Sequence, residues 1–177
     1  MRKALASLIA LPILVGATIP STPDLGKAEG QCRPNESGPS FIVTVQGLKD
    51  RKGNLKLEVY PDDNEDFLED DNILISEGKT FRRVEVPTPQ SGVPKLCIRV
   101  PGPGTYALML LHDRDSNHKF GWRVDGLGFA GNPKLGWSKP KADNASATAG
   151  NGPTPITIVL NYQRGLAMRP LKKKDWN

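Results

Sequence analysis

The stretch Gly104-Thr105-Tyr106-Ala107-Leu108-Met109-Leu110-Leu111-His112-Asp113-Arg114-Asp115-Ser116-Asn117-His118-Lys119-Phe120-Gly121 decides the fold. From Tyr106 to Leu111 apolar residues occupy both parities, the pattern of a β-strand buried on both sides. A tight turn at Pro101 to Gly104 opens it, and a polar run beginning at His112 closes it. This segment is the best candidate for the central strand, and a sheet has to be found around it.

Toward the N-terminus the sequence supplies one. Leu96, Ile98 and Val100 share one face of a strand over 95–100, which sends Cys97, with Lys95 and Arg99, to the other, outer face. Residues 80–86 read as another strand. Leu55, Leu57 and Val59 alternate, as do Phe41, Val43 and Val45, and the Asp50-Arg51-Lys52-Gly53 turn between these two sets makes a hairpin signal. Toward the C-terminus, residues 113–155 are rich in Gly, Asn, Lys and Pro and read as one long irregular loop, the kind that in a compact domain is functional or partly disordered. The domain closes with Ile156, Ile158, Leu160 and Tyr162 on one face. With 18 Gly and 16 Pro in 177 residues, long helices are disfavoured. The prediction is all-β: an antiparallel β-sandwich of about six to seven strands with one long irregular loop.

The chain divides into four parts. Arg2 and Lys3 before an apolar run to Ala17 read as a signal peptide over 1–17, with cleavage after Ala17. An irregular, proline-bearing segment follows over 18–40, then the sandwich over 41–163 and a basic tail over 164–177. Formal net charge is +5, but the body from 18 to 163 carries 17 bases against 18 acids, so no general basic surface exists to track nucleic acid. The tail, with Arg164, Arg169 and Lys172 to Lys174, reads as a frayed terminus or a contact for anionic polymers. In an exported chain, Cys32 and Cys97 read as one disulfide stapling the N-terminal segment to the outside of the sheet; two separate buried thiols are the alternative.

Several residues carry candidate chemistry. Asp113, Asp115 and Asn117 hold positions 1, 3 and 5 of a calcium-type loop, but His118 stands where such a loop has Gly and Val124 where it has a bidentate Glu. Asp125, one place later, substitutes only if the loop bends differently. The other reading is a polar turn whose side chains bond nearby amides. His112 and His118 flank the turn and, with Asp113, make a poor zinc or copper set. Phe120, Trp122, Phe129 and Trp137 decorate the long loop, as a hydrophobic cluster folding it back or as a stacking surface for carbohydrate or peptide. The seven acids between Asp62 and Asp71 read as a solvated segment pinned by Phe67 and Leu68. No nucleophile elbow, Walker loop or zincin helix is present.

Gly47-Leu48, the Gly53 to Tyr60 spacing, Phe67-Leu68, Gly104-Thr105-Tyr106-Ala107, His112-Asp113 and Gly128-Phe129 follow one another in an order that resembles the bacterial Domain of Unknown Function 2141 family over roughly residues 40–163. The family loop reads His-Asp-x-Asn-x-Asn-Gly-x-x-Asp; here Asp115, His118 and Gly121 replace the middle Asn, the Gly and the last Asp. The resemblance implies an exported sandwich, transthyretin-like or carboxypeptidase-regulatory-like, with no established activity. Together these readings predict a periplasmic or extracellular, non-enzymatic module without cofactor. It is expected to bind an envelope ligand or protein through the long loop, with His112, His118, Trp122, Phe129 and Trp137 as its contact residues. A calcium-binding structural module is the alternative, and a hydrolase comes third.

Overall fold

The structure, a computed structural model, describes residues 19–176. The leader over 1–17 and its cleavage after Ala17 lie outside the described residues. In chain order the elements are α1 (Lys27–Gly30), β1 (Ser40–Gln46), β2 (Asn54–Pro61), α2 (Asp71–Ser76), β3 (Arg82–Pro87), β4 (Lys95–Arg99), β5 (Gly104–Asp113), β6 (Gly126–Phe129), β7 (Ser146–Ala149), β8 (Pro153–Val159), β9 (Asn161–Arg164) and β10 (Ala167–Pro170).

Two sheets face each other, as the all-β sandwich reading requires. The small sheet has the order β4-β1-β8, and the large one β10-β9-β6-β5-β2-β3. β5 is central: it pairs with β2 on one side, while β7 and β6 divide its other edge, from Gly104 to Ala107 and from Met109 to His112. Between the sheets lie Phe41, Val43 and Val45 of β1, Leu57 and Val59 of β2, and Leu108 and Leu110 of β5, all buried. Each contributes roughly 1.5 to 3 kcal/mol of burial. A second apolar cluster sits on the outer side of the large sheet, where Tyr60 meets Phe67 and Phe81 edge to face at 5.7 and 5.4 Å and Phe67 meets Phe129 at 5.8 Å. Two cores on one sheet are why β5 is apolar on both faces.

Three features depart from the sequence reading. Ten strands form among the described residues rather than six or seven, because two lie inside the expected long loop, the last alternating run divides in two, and β10 lies beyond residue 163. β6 was illegible because it alternates glycine: a Cβ on Gly126 would stand 2.5 Å from the Tyr162 ring, and one on Gly128 2.6 Å from Ile158. The close pass of the β8–β9 segment admits no side chain there. The alternating run 156–162 is two strands, not one. It leaves the small sheet after Val159, buries Leu160 at the crossing with its amide on the Gln46 carbonyl (2.9 Å), and enters the large sheet as β9. β8 runs parallel to β1, among the described residues the one parallel pair in an otherwise antiparallel set. No hairpin constrains that pair, since most of the chain lies between the two strands. Finally, β9 and β10 form a hairpin through Gly165, at φ 67, so the sheet runs to Pro170 with Met168 buried.

The Cys32–Cys97 disulfide forms, with Cα atoms 5.8 Å apart. Cys97 points outward between the inward Leu96 and Ile98, and an isolated bridge from Gln31 to Ile98 continues the pairing next to it.

Candidate functional site

The polar run after β5 folds into a compact turn built on two carboxylates. Asp113 is fully buried, and its two oxygens accept the amides of Asn117 (3.2 Å) and His118 (2.8 Å). Asp125 returns to the same place: its oxygens accept the amides of Arg114 (2.8 Å) and Gly121 (2.7 Å). The loop therefore bends in the way that brings Asp125 beside Asp113 and Asp115, each offering one oxygen within 4.8 Å of the others. Asn117, the third oxygen of the calcium-type reading, turns away. Its amide donates to Asp115 (2.9 Å), and its oxygen accepts the Lys119 amide (2.8 Å). His118, where a glycine was expected, takes φ 62 and adopts the glycine-like backbone. Arg114 reaches back to Asp50 on the β1–β2 turn. Burial works against ionisation of Asp50, yet the Arg114 and Lys52 hydrogen bonds hold its carboxyl below the usual range.

The two histidines part company. His112 is fully buried on the inner face of β5, bonded to Tyr162 and to the Lys52 carbonyl, and burial holds it below the ordinary histidine range. It is a neutral core residue, unavailable to a ligand at the loop surface. His118 is exposed and bonds Glu85 of β3 through Nδ1 at 3.0 Å; Glu85, Asp113 and His118 form a second close group of donor atoms.

Beside this group lies a polar recess of about 460 Å³ that the sequence did not signal, lined in part by Lys56, Asp71, Arg83 and Glu85. Lys56 and Glu58 alternate with the apolar face of β2, yet both are buried. Their charges are matched inside: Arg83 pairs with Glu58 (2.7 Å) and Asp71 (3.1 Å), Lys56 with Glu58 (3.5 Å), and the Tyr60 hydroxyl donates to Glu58 (2.8 Å). The N-terminal segment closes the network through Lys27 on Glu85 (3.4 Å) and the Thr22 carbonyl on Arg83 (3.0 Å). A buried network satisfied at every charge holds the strap in register. Asp71, the last residue of the acidic run, belongs to it and is buried.

The aromatic residues of the long loop also divide. Phe129 is buried in the outer cluster. Phe120 and Trp122 are partly open, and Trp137 is 82% exposed; together they line a shallow cleft floored by Leu68, Leu127 and Leu135. Their framework is fastened. Lys139 donates to the Phe67 carbonyl (2.6 Å), the Ala142 amide to Asn64 (2.9 Å), and Asn132 exchanges bonds with the backbone of Thr157 and Val159 (2.9 and 2.7 Å).

Among known families, the one described as "Uncharacterized protein conserved in bacteria (DUF2141)" matches residues 43–157. No curated protein and no solved structure matches the chain.

Proposed function

We propose that this chain, which belongs to the DUF2141 family, is an exported, non-enzymatic β-sandwich module that binds a ligand or partner in the periplasm or cell envelope through the segment between β5 and β8. The observation that carries the reading is the set of Phe120, Trp122 and Trp137, left open to solvent on a loop whose Asn132 and Lys139 side chains tie it to the backbone of both the sheet and the acidic segment. Large rings exposed on a fastened frame lose little entropy on binding, which is how contact surfaces are built. Export is supported by the disulfide and by the charged-then-apolar N-terminus. Among the described residues no helix is long and apolar enough to cross a membrane. A non-catalytic role is supported by His112 and His118, both engaged by protein partners, and by both thiols being joined in the disulfide.

The test is co-sedimentation of the purified oxidised protein with a washed envelope fraction, against a variant carrying Phe120→Ala, Trp122→Ala and Trp137→Ala. Saturable binding lost in a variant of unchanged melting temperature is expected; equal binding by both proteins refutes the reading. A cation-stabilised module is the second reading, favoured by the convergence of Asp113, Asp115 and Asp125. Calcium titration decides it.

A further inference from the structure

The cleft beneath Trp137 does not end at the long loop. It shares Leu135 and Met168 with a second cleft of about 600 Å³ that lies against the β9–β10 hairpin, so the two adjoin across these side chains in one stretch of grooved surface. Lys134, Arg164 and Arg169 line the second cleft and Lys139 the first, and no acidic residue lines either. The sequence shows why: from Gly126 to Lys174 the chain has a single acid, Asp143. Of the acidic run 62–71, only Leu68 reaches the groove. Among the described residues no carboxylate pairs with Lys134 or Arg169. Arg164 donates to the Pro170 carbonyl (2.9 Å), which fixes its position and leaves its charge uncompensated.

We infer that this groove binds an acidic glycan, a chain of sugar rings bearing carboxylates. The inference rests on the reading of the long loop as a contact surface and names the ligand it takes. Flat apolar sugar faces stack on exposed indoles, while unpaired cations in a groove without acids draw anionic groups. The cationic lining of one cleft and the rings of the other are set side by side across Leu135 and Met168, which suits a polymer strand that spans both.

The experiment follows intrinsic tryptophan fluorescence of the oxidised protein titrated with polygalacturonate. Parallel titrations use neutral dextran, polyglutamate and vesicles of phosphatidylglycerol. Saturable binding of polygalacturonate is expected. It should weaken on the order of tenfold or more as salt rises to about 1 M, where charges are screened beyond about 3 Å. Trp137→Ala and the pair Lys134→Gln, Arg169→Gln should each lose about tenfold, as removal of a contact anchor does. Equal binding of polyglutamate overturns the inference, because charge alone then suffices; preference for the vesicles overturns it in favour of a membrane surface. Dextran bound as tightly through Trp137 defeats the acidic ligand and leaves the loop surface standing. Absence of polygalacturonate binding also defeats it, and if envelope sedimentation is insensitive to the three aromatic substitutions as well, the proposed function falls with it.

Discussion

The Tyr162 hydroxyl meets Nδ1 of His112 across 2.7 Å, and the Lys52 carbonyl at Nε2, which can only accept, sets the tautomer in which the hydroxyl donates to Nδ1. Nε2 therefore carries the proton and donates to the Lys52 carbonyl (2.9 Å), while the Tyr162 oxygen accepts the Lys49 amide (3.1 Å). One buried chain of hydrogen bonds thus joins β9, β5 and the β1–β2 turn, closing the end of the inner core next to the Asp113 loop. It is satisfied only while His112 is neutral, since a second ring proton would face the Tyr162 hydroxyl, which would then have to turn its own hydrogen away.

This makes stability depend on pH with a definite sign. Burial depresses the pKa of His112 in the folded protein, so the unfolded chain binds its proton more readily. The contribution of the neutral ring is complete above the unfolded pKa of about 6.5 and is lost as pH falls toward the depressed folded value. Urea unfolding at several pH values between about 5 and 8 should show wild type losing stability on acidification. His112→Gln should be weaker at pH 8 by about 1 to 2 kcal/mol and should show a shallower pH dependence. Parallel curves for the two proteins would remove His112 as the cause.

The disulfide holds down the strap that covers the Arg83 network, so its loss has a local and a global effect. Closing the chain between Cys32 and Cys97, 65 positions apart, is worth about 4 kcal/mol in the loop-entropy account. Cys32→Ser with Cys97→Ser should lower the melting temperature and keep the β-rich circular dichroism spectrum, because the bridge lies outside both apolar clusters. Amide exchange should accelerate first in residues 19–31, where Thr22 and Lys27 contact Arg83 and Glu85. Exchange rising uniformly over both sheets would show that the strap is not a separate unit.

The central strand can be checked by contrast. Leu108 is fully buried between the sheets, and Lys95 is exposed at the start of β4. Leu108→Ala should cost about 2 to 5 kcal/mol through lost burial and a residual cavity, and Lys95→Ala less than about 0.5 kcal/mol. Denaturant midpoints at constant m-value measure both, and equal midpoints would mean that β5 is not the core strand.

Legibility followed how much each position depends on its own neighbours in sequence. Alternation over 41–45 and 55–59, and the doubly apolar run of β5, are set by burial against a sheet face and were readable as such. So was the outward turn of Cys97. β6 is hidden because its glycines answer to Tyr162 and Ile158, thirty or more residues away, and no local pattern records that approach. The crossing at Leu160 was hidden for the opposite reason: Ile158, Leu160 and Tyr162 face one core throughout, so the alternation stays unbroken while the hydrogen-bonding partner changes. At the site, spacing alone points to Asp113 and Asp115. Asp125 enters that pattern only as a substitute, and no local signal points to Glu85, which comes from β3. His112 reads with the loop residues although it shares the parity of Leu108 and Leu110, the signal that sends it inward.

The calcium question turns on how fully the loop is already satisfied. Both oxygens of Asp113 and both of Asp125 accept backbone amides, and Asp115 accepts the Asn117 side chain. Three carboxylates this close repel one another, and a calcium ion would relieve that repulsion. Against this, one Asp115 oxygen is already taken by the Asn117 amide, and Asn117 offers no free oxygen while it caps Lys119. Water must then fill most of the coordination sphere, which places affinity no tighter than about millimolar. Stabilisation grows as RT ln(1 + [L]/Kd), about 1.4 kcal/mol at ten times Kd, so melting temperature should rise only above about 1 mM calcium. Asp115→Asn is the informative variant, because Asp113→Asn would break backbone bonds whether or not an ion is present. Differential scanning of both proteins from about 10 µM to 10 mM calcium should give a small millimolar rise in wild type and none in the variant. A rise at micromolar calcium, abolished by Asp115→Asn, would make the cation-stabilised module the leading reading of the protein.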